Sequence, residues 1–300
     1  MAINRAQLAK ELEPGLNALF GLEYARYENE AAQIFEQESS DRAFEEEVML
    51  VGFGQANVKA EGAAVGFDTA SESFTARYTH DTIALAFALT EEAVEDNLYD
   101  TLSARYTKAL ARSMAYTKQV RGANVLNNAF TVTGGDGVTL ANTAHPTALG
   151  GTFSNRSATD ADLNETSLEQ GMIDIAGFID ERGLKIAMKG QKLIIPVNTQ
   201  FVADRILEST LRVGTADNDI NALKNMGMLP GGYTVNHYLT DTDAWFVKTD
   251  CPNGFKHFVR AALATGMEGD FDTGNMRYKA RERYSFGYSD PRAVYASQGS

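Results

Sequence analysis

Asp160, Asp162 and Asn164 place side-chain oxygens at the alternate spacing with which a calcium-binding loop begins. Such a loop needs a turn-forming glycine at its sixth position and a bidentate acid at its twelfth. Glu165 and Gly171 occupy those places, so the cluster reads as helix-capping groups. The other metal-ligating side chains are four scattered histidines, His80, His145, His237 and His257, and one cysteine, Cys251. His237, Cys251 and His257 could meet on zinc or iron, but single histidines on strands more often pack or hydrogen-bond, and no metal or cofactor is expected. The glycines between Gly134 and Gly137 lack the spacing and the following lysine of a phosphate-binding loop and read as a turn. No Gly-x-Ser-x-Gly nucleophile elbow occurs. No catalytic residue is assigned, and a cytosolic α/β hydrolase or metalloenzyme has no motif behind it.

The strongest local signal is basic. Arg277, Lys279, Arg281 and Arg283 alternate with Met276, Tyr278 and Ala280, so on a strand the four cations share one side. Such a row could hold a polyanion or the carboxylates of another protein. The whole chain has 27 Lys plus Arg against 40 Asp plus Glu, a net charge of −13, and its averaged field repels nucleic acid. Carboxylates of a neighbouring copy are therefore the expected partner of this strand, with DNA the alternative. Sequence-specific DNA binding is not expected, and Glu45, Glu46 and Glu47 would keep a surface lining a DNA-filled cavity from adhering to phosphates.

These groups need elements to carry them. Residues 1–50 read as an arm with short helices: Leu8, Leu12, Leu16 and Leu19 recur at helical spacing, interrupted by Pro14 and Gly15, and the acids of 36–47 form a solvated face. Over 51–89 the period changes to two around a centre rich in Gly and Ala at 61–66, which predicts a long hairpin. In its second flank Ile83, Leu85, Phe87 and Leu89 oppose Ala84, Ala86 and Ala88, predicting burial on both sides. Nothing nearby in sequence covers Phe67 and Phe74, so the protruding part is expected to lie on another subunit.

Thr90 is a candidate N-cap ahead of Glu91 and Glu92, and Val94, Leu98, Leu102, Tyr106, Leu110 and Met114 predict a helix ending near Gly122. Its length would be about 30 residues, or roughly 45 Å. The 134–162 stretch has no periodicity and reads as a long surface loop. A capping box of Thr166 and Glu169 predicts a second helix running to Arg182. Further helical segments are expected at 201–211 and 221–229, and strands at 192–197, 233–239, 244–249, 255–263 and 275–288.

At 300 residues, 44% hydrophobic and 22% charged, the chain is expected to fold around a substantial core. A single cysteine cannot make an internal disulfide, so no oxidising compartment is required. Neither a run of about 18 apolar residues nor the pattern of a signal peptide is present, and export and membrane insertion are not expected.

Taken in order, these elements resemble the major capsid proteins of tailed phages, the family typified by the Hong Kong 97 phage. Residues 85–96, Leu-Ala-Phe-Ala-Leu-Thr-Glu-Glu-Ala-Val-Glu-Asp, resemble the start of that family's spine helix. Residues 135–146, ending Leu-Ala-Asn-Thr-Ala-His-Pro, are similar to a segment of Mu-like and related heads, and residues 281–291, Arg-Glu-Arg-Tyr-Ser-Phe-Gly-Tyr-Ser-Asp-Pro, to the close of such proteins. The resemblance implies an α+β, Hong Kong 97-like fold. An N-terminal arm would occupy 1–50 and an extended loop 51–89. A peripheral domain with the spine helix would occupy 90–133 and 251–290, and an axial domain 134–250 and 291–300.

The function implied is that of a non-catalytic head protein that self-assembles into pentamers and hexamers of an icosahedral shell around double-stranded DNA. An encapsulin-like compartment subunit is the alternative on the same architecture. Contacts between subunits are expected at Phe67, Phe74, Arg77 and Tyr78, and at Arg277, Lys279, Arg281 and Arg283. Further implied partners are DNA touched non-specifically, portal and decoration proteins, and a separate scaffolding protein or none, since 1–50 leaves no room for a scaffolding segment. The protein is expected in the virion capsid, assembled in the host bacterial cytoplasm. Some members link subunits covalently through a loop lysine; Lys59 alone is available in 51–89, reads as low on the hairpin, and no link is expected.

Overall fold

The computed structural model describes residues 5–90, 99–212, 219–270 and 274–300. In chain order its first half holds α1 (Arg5–Arg26), β1 (Glu36–Ser39), β2 (Phe44–Val51), β3 (Ser71–Thr79), β4 (Asp81–Leu89), α2 (Tyr99–Asn127), β5 (His145–Pro146), β6 (Thr152–Phe153) and α3 (Glu165–Ala176). Then come β7 (Gly190–Ile195), α4 (Gln200–Glu208), α5 (Ala222–Asn225), β8 (Tyr233–Val235), β9 (Trp245–Thr249), β10 (Phe255–Gly269), β11 (Met276–Tyr288) and β12 (Val294–Ser297). Among the described residues no helix is long and apolar enough to cross a membrane.

Two four-stranded sheets organise these elements. The first runs β1-β10-β11-β4, and its spine is the long antiparallel ladder of β10 with β11. One face is covered by α1 and α2: Leu16, Phe20, Leu110, Ala111 and Met114 pack on Tyr278 and Ala280, flanked by Ile83, Phe87, Leu263 and Met267. That packing explains a departure from the expected short helices. α1 runs through Pro14 without a break; the proline forfeits one backbone hydrogen bond, and the buried Leu16 and Phe20 hold the helix in place. Residues 36–39 and 44–50, expected within the arm, lie in β1 and β2 instead.

The opposite face of this sheet is open along β4 and the half of β11 that pairs with it, while Tyr78 of β3 covers it at Phe258 and Gly287. Ala84, Ala86 and Ala88 are exposed and pair in register with Arg281, Lys279 and Arg277. The expected two-sided burial of this segment does not occur, and β4 does not belong to the hairpin. It pairs with β11, whereas the hairpin consists of β2 and β3, from Phe44↔Thr79 to Val51↔Ser71. The chain turns from one sheet to the other at His80, whose buried ring lies 2.9 Å from Ser40 Oγ and from Ser285 Oγ. Neither glycine nor proline marks that corner, so the period of two continues through it unbroken.

The proposed N-cap at Thr90 precedes residues that lie outside the described ones, as do Val94 and Leu98. Gly122 does not end the helix, which continues to Asn127. The glycine serves close approach: a Cβ there would stand 2.9 Å from Ala31 Cβ and 3.6 Å from the Phe286 ring.

The second sheet runs β12-β9-β7-β8, with β7 parallel to β8 and β9 antiparallel to both its neighbours. Leu168, Met172 and Ile175 of α3 and Ala203, Ile206 and Leu207 of α4 cover Leu193, Ile195, Trp245 and Val247 on one side. On the other, Ile194 and Phe246 meet Phe35, Leu126, Leu140 and Phe255, which joins this sheet to the first sheet and to the end of α2. A sheet buried on both faces reads as a continuous apolar run, as Trp245, Phe246 and Val247 do.

The 134–162 stretch is irregular, yet not a surface loop throughout. Leu140, Ala141, His145 and Asn155 are buried. Asn155 Nδ2 donates to Leu140 O at 2.7 Å and to Pro291 O at 2.8 Å, while its Oδ1 accepts from Asn142 N at 2.9 Å. One amide thus replaces the ladder that a strand would supply. α3 is capped by Asn164 and Ser167 in place of Thr166 and Glu169: Ser167 N donates to Asn164 Oδ1 at 2.9 Å, and Asn164 N donates to Ser167 Oγ at 3.0 Å. It ends at Ala176, short of Arg182.

Candidate functional site

The hairpin is anchored to the body by a relay of side chains from four elements. Tyr78 on β3 is buried, sets its ring edge-on to Phe258 at 4.8 Å, and donates to Ser289, which donates to Glu47 on β2. Lys256 Nζ on β10 lies 2.7 Å from both Glu47 and Glu38. Burial alone would lower the ammonium's pKa, but the two carboxylates outweigh it and the net shift is upward. Two glycines make room: a Cβ at Gly287 would stand 2.6 Å from the Tyr78 ring, and one at Gly135 would stand 2.5 Å from Thr75 O. The turn read at Gly134 to Gly137 is present, with Gly137 at φ 83°, and it doubles as the seat of β3.

Beyond this root the ribbon leaves the body. The ladder stops at Val51↔Ser71, and every residue from Gln55 to Ala70 is exposed. Val58 and Phe67 are 100% exposed, Leu50 is 72% and Val65 is 66% exposed, an apolar set that nothing described covers. One clasp returns the ribbon to its own chain: Arg182 Nη1 lies 3.3 Å from Asp68 Oδ1. Asp68 Oδ2 also accepts from Gly54 N at 2.8 Å. Those backbone hydrogen bonds, from Gly54 and Thr69, and then Arg182 hold its carboxyl below the ordinary range.

The expected contact residues therefore divide. Phe67 is free to meet a neighbour. Phe74 is half-buried, and Tyr78 is buried inside its own chain, where the ring fixes the hairpin. Arg77 is exposed but lies over the Phe44 ring at 4.0 Å, with Glu46 3.7 Å away. Lys59 sits beside the turn of 60–63, at the tip of the ribbon instead of low on it, because the hairpin spans 44–79 and not 51–89. The Tyr78 relay and the Asp68 clasp have no signature in sequence spacing.

The basic strand presents Arg277, Lys279 and Arg281 on the open face, with Arg283 partly covered. Arg277 pairs with Asp270, and Glu268 stands opposite it in register. Arg283 Nε donates to His80 O at 3.4 Å. Tyr278, Ala280 and Glu282 point inward and are buried.

The metal readings find other employment for their residues. Asp160 accepts from Arg156 Nε at 3.1 Å, Asp162 Oδ1 from Ser300 N at 2.9 Å, and Asn164 caps α3. His237 Nδ1 lies 2.7 Å from Glu30, and His145 Nδ1 lies 2.6 Å from Asp136. His257 stacks on Phe286, and burial pushes the Cys251 thiol's pKa up. Among the described residues no group of three or more His, Cys, Asp or Glu could hold a metal ion.

Comparison with curated proteins finds no match. Among solved structures, the chain is similar to the capsid of the cyanophage P-SCSP1u at 11% identity and TM-score 0.60, covering 89% of this chain and 86% of that one. It is similar to a protein of Mycobacterium phage Che8 at 16% identity and TM-score 0.56, covering 90% and 92%. It also matches the virus-like particle from Pyrococcus furiosus at 10% identity and TM-score 0.57, covering 95% and 98%. These likenesses show the fold, a helix-and-sheet capsid fold of the Hong Kong 97 type. The family model described as phage capsid protein matches residues 73–297, and with it the chain belongs to the phage capsid protein family.

Proposed function

We propose that this chain builds a phage head by assembling with copies of itself into pentamers and hexamers of an icosahedral shell around double-stranded DNA. The observation that carries the reading is the ribbon of 52–70, in which every residue from Gln55 to Ala70 is exposed and Val58, Val65 and Phe67 are bare together. Apolar side chains so displayed find burial on another molecule. A contact that places one copy's ribbon on the next copy's body is heterologous, and such contacts close into rings. Lys279 and Arg281 of β11, exposed on the open sheet face, would meet carboxylates of a neighbouring copy, with Arg277 and Arg283 beside them.

Portal, scaffolding and decoration proteins belong to this reading as partners, as do assembly in the host bacterial cytoplasm and the absence of catalysis. The fold shared with a virus-like particle gives a second reading, a shell that encloses no genome. Negative-stain imaging of purified particles, with their nucleic-acid content, tests both. Shells with DNA support the head, shells without it support the compartment, and a protein that stays a compact monomer at high concentration overturns both.

A further inference from the structure

Cations on the described part of α2 sort into two groups. Those that point toward the body are matched: Lys118 Nζ lies 3.4 Å from Glu282, and Arg121 pairs with Asp81. Those that point away are not. Arg105, Lys108 and Arg112 are exposed, and among the described residues none pairs with them. With Ala109 and Tyr116 they follow the spacing of a single helical stripe, about 16 Å long from 105 to 116. The stripe borders a groove of about 450 Å³ against α1, lined by Glu23, Tyr27, Lys108, Ala109, Arg112, Ser113 and Tyr116. Glu23 is the acid in that lining, and its carboxylate is 3.8 Å from Arg26, so the rim stays net positive.

Three exposed, unpaired cations aligned on a chain of net charge −13 form a local positive surface suited to a partner that supplies negative charge without desolvating them. A neighbour's carboxylates would have to meet them in one fixed register, and exposed ion pairs of that kind contribute little. The acids of β2 are already engaged: Glu45 accepts from Ser40, Glu46 faces Arg77, and Glu47 holds Lys256. Phosphates of a duplex remain hydrated when contacted and need no fixed register. The basic strand is less suited, since Arg277 and Arg283 are already occupied by their own chain.

We propose that the outward stripe of α2, Arg105, Lys108 and Arg112, is the surface on which the enclosed duplex rests, touching phosphates without reading sequence. This rests on the head function proposed above. Because α2 and the cations of β11 lie on opposite faces of one sheet, it also turns the basic strand away from the genome.

The test replaces Ala109 with the photo-reactive amino acid p-benzoylphenylalanine in DNA-filled heads, with Ala86 on the opposite face as the control position. Irradiation is expected to attach the subunit to DNA from position 109 and not from 86. DNA adducts from 86 alone, adducts from 109 to protein alone, or no DNA adduct from 109 in filled heads each overturn the inference while leaving the head function standing. If wild-type shells hold no DNA, the head function fails and the inference with it. In a second measurement, Lys108→Glu with Arg112→Glu is expected to lower the DNA retained per shell at unchanged shell yield. Unchanged DNA content would count against the stripe, and should the pair of changes prevent folding, the cross-linking result decides.

Discussion

Replacing His257 with phenylalanine should remove most of one acid-sensitive step in the subunit's stability. The imidazole is buried, stacked on Phe286 with ring centroids 4.1 Å apart and planes within 9°, and its Nε2 has no hydrogen-bond partner. Burial first, and the nearby Lys118 ammonium second, hold its pKa down from 6.5 to about 4. Between those two values the unfolded chain takes up a proton that the folded chain refuses. Stability contributed by the neutral ring is therefore complete above about pH 6.5 and is lost progressively as the pH falls toward 4. At about 1.4 kcal/mol per pH unit, lowering the pH from about 7.5 to 4.5 should cost the wild type roughly 2–3 kcal/mol through this group.

Phenylalanine keeps the stack and carries no proton. Urea unfolding of unassembled subunits, followed by fluorescence of the buried Trp245, reads the difference at the two pH values. His80, whose pKa burial also lowers, is present in both proteins and leaves a common residual loss. Equal losses of free energy in wild type and variant would refute the reasoning, because the titrating group would then lie elsewhere.

The remaining predictions concern assembly, the core and the clasp. Val58→Ser with Phe67→Ser should leave the urea midpoint unchanged, since both side chains are fully exposed, while abolishing shells in negative stain; normal shells would remove the ribbon from the assembly mechanism. Arg292→Met leaves Glu181, 2.7 Å from the guanidinium and buried with it, without its cation. A loss of about 3–5 kcal/mol in urea unfolding is expected, and a neutral result would show that the carboxylate finds water. Asp68→Asn should weaken the hold of Arg182 on the ribbon and speed tryptic cleavage at Lys59, with an unchanged rate arguing that the clasp does not restrain it. Boiled shells should run at the monomer mass of 32.6 kDa on a denaturing gel, and a ladder of multiples would reveal a covalent link through Lys59.

Elements whose pattern is set by one-sided or two-sided burial were legible in the residues. The apolar run of β9 and the alternation of β11 follow from which side chains face the core and are where their periodicity puts them, and the long helix is present through the predicted Tyr106, Leu110 and Met114. Boundaries without a chemical mark were not. His80 turns the chain between two sheets with no glycine or proline, so 81–89 was read as hairpin, and Lys59 was misplaced in consequence. Gly122 looked like a helix end because a glycine usually weakens a helix, while here it lets α2 approach Ala31 and Phe286. Asn155 organises a buried irregular stretch through contacts with Leu140 and Pro291, and a polar run of Ser, Thr and Asn gives no hint of which amide will do so. At the candidate surfaces, exposure of Phe67 was legible from its neighbours. The engagement of Tyr78 was not, because Ser289 and Gly287 lie more than two hundred residues along the chain.

The relay beneath Tyr78 has a consequence for how one subunit could serve both five-fold and six-fold rings. With its ring wedged against Gly287 and its hydroxyl tied through Ser289 to Glu47, the angle at which β2 and β3 depart is set by the body of the subunit. Adjustment to local curvature then falls to the part past Val51 and Ser71, where inter-strand bonding ceases. The shell's geometric tolerance would reside in residues 52–70, about ten on each limb, much as a rod held firmly at the handle yields only toward its end.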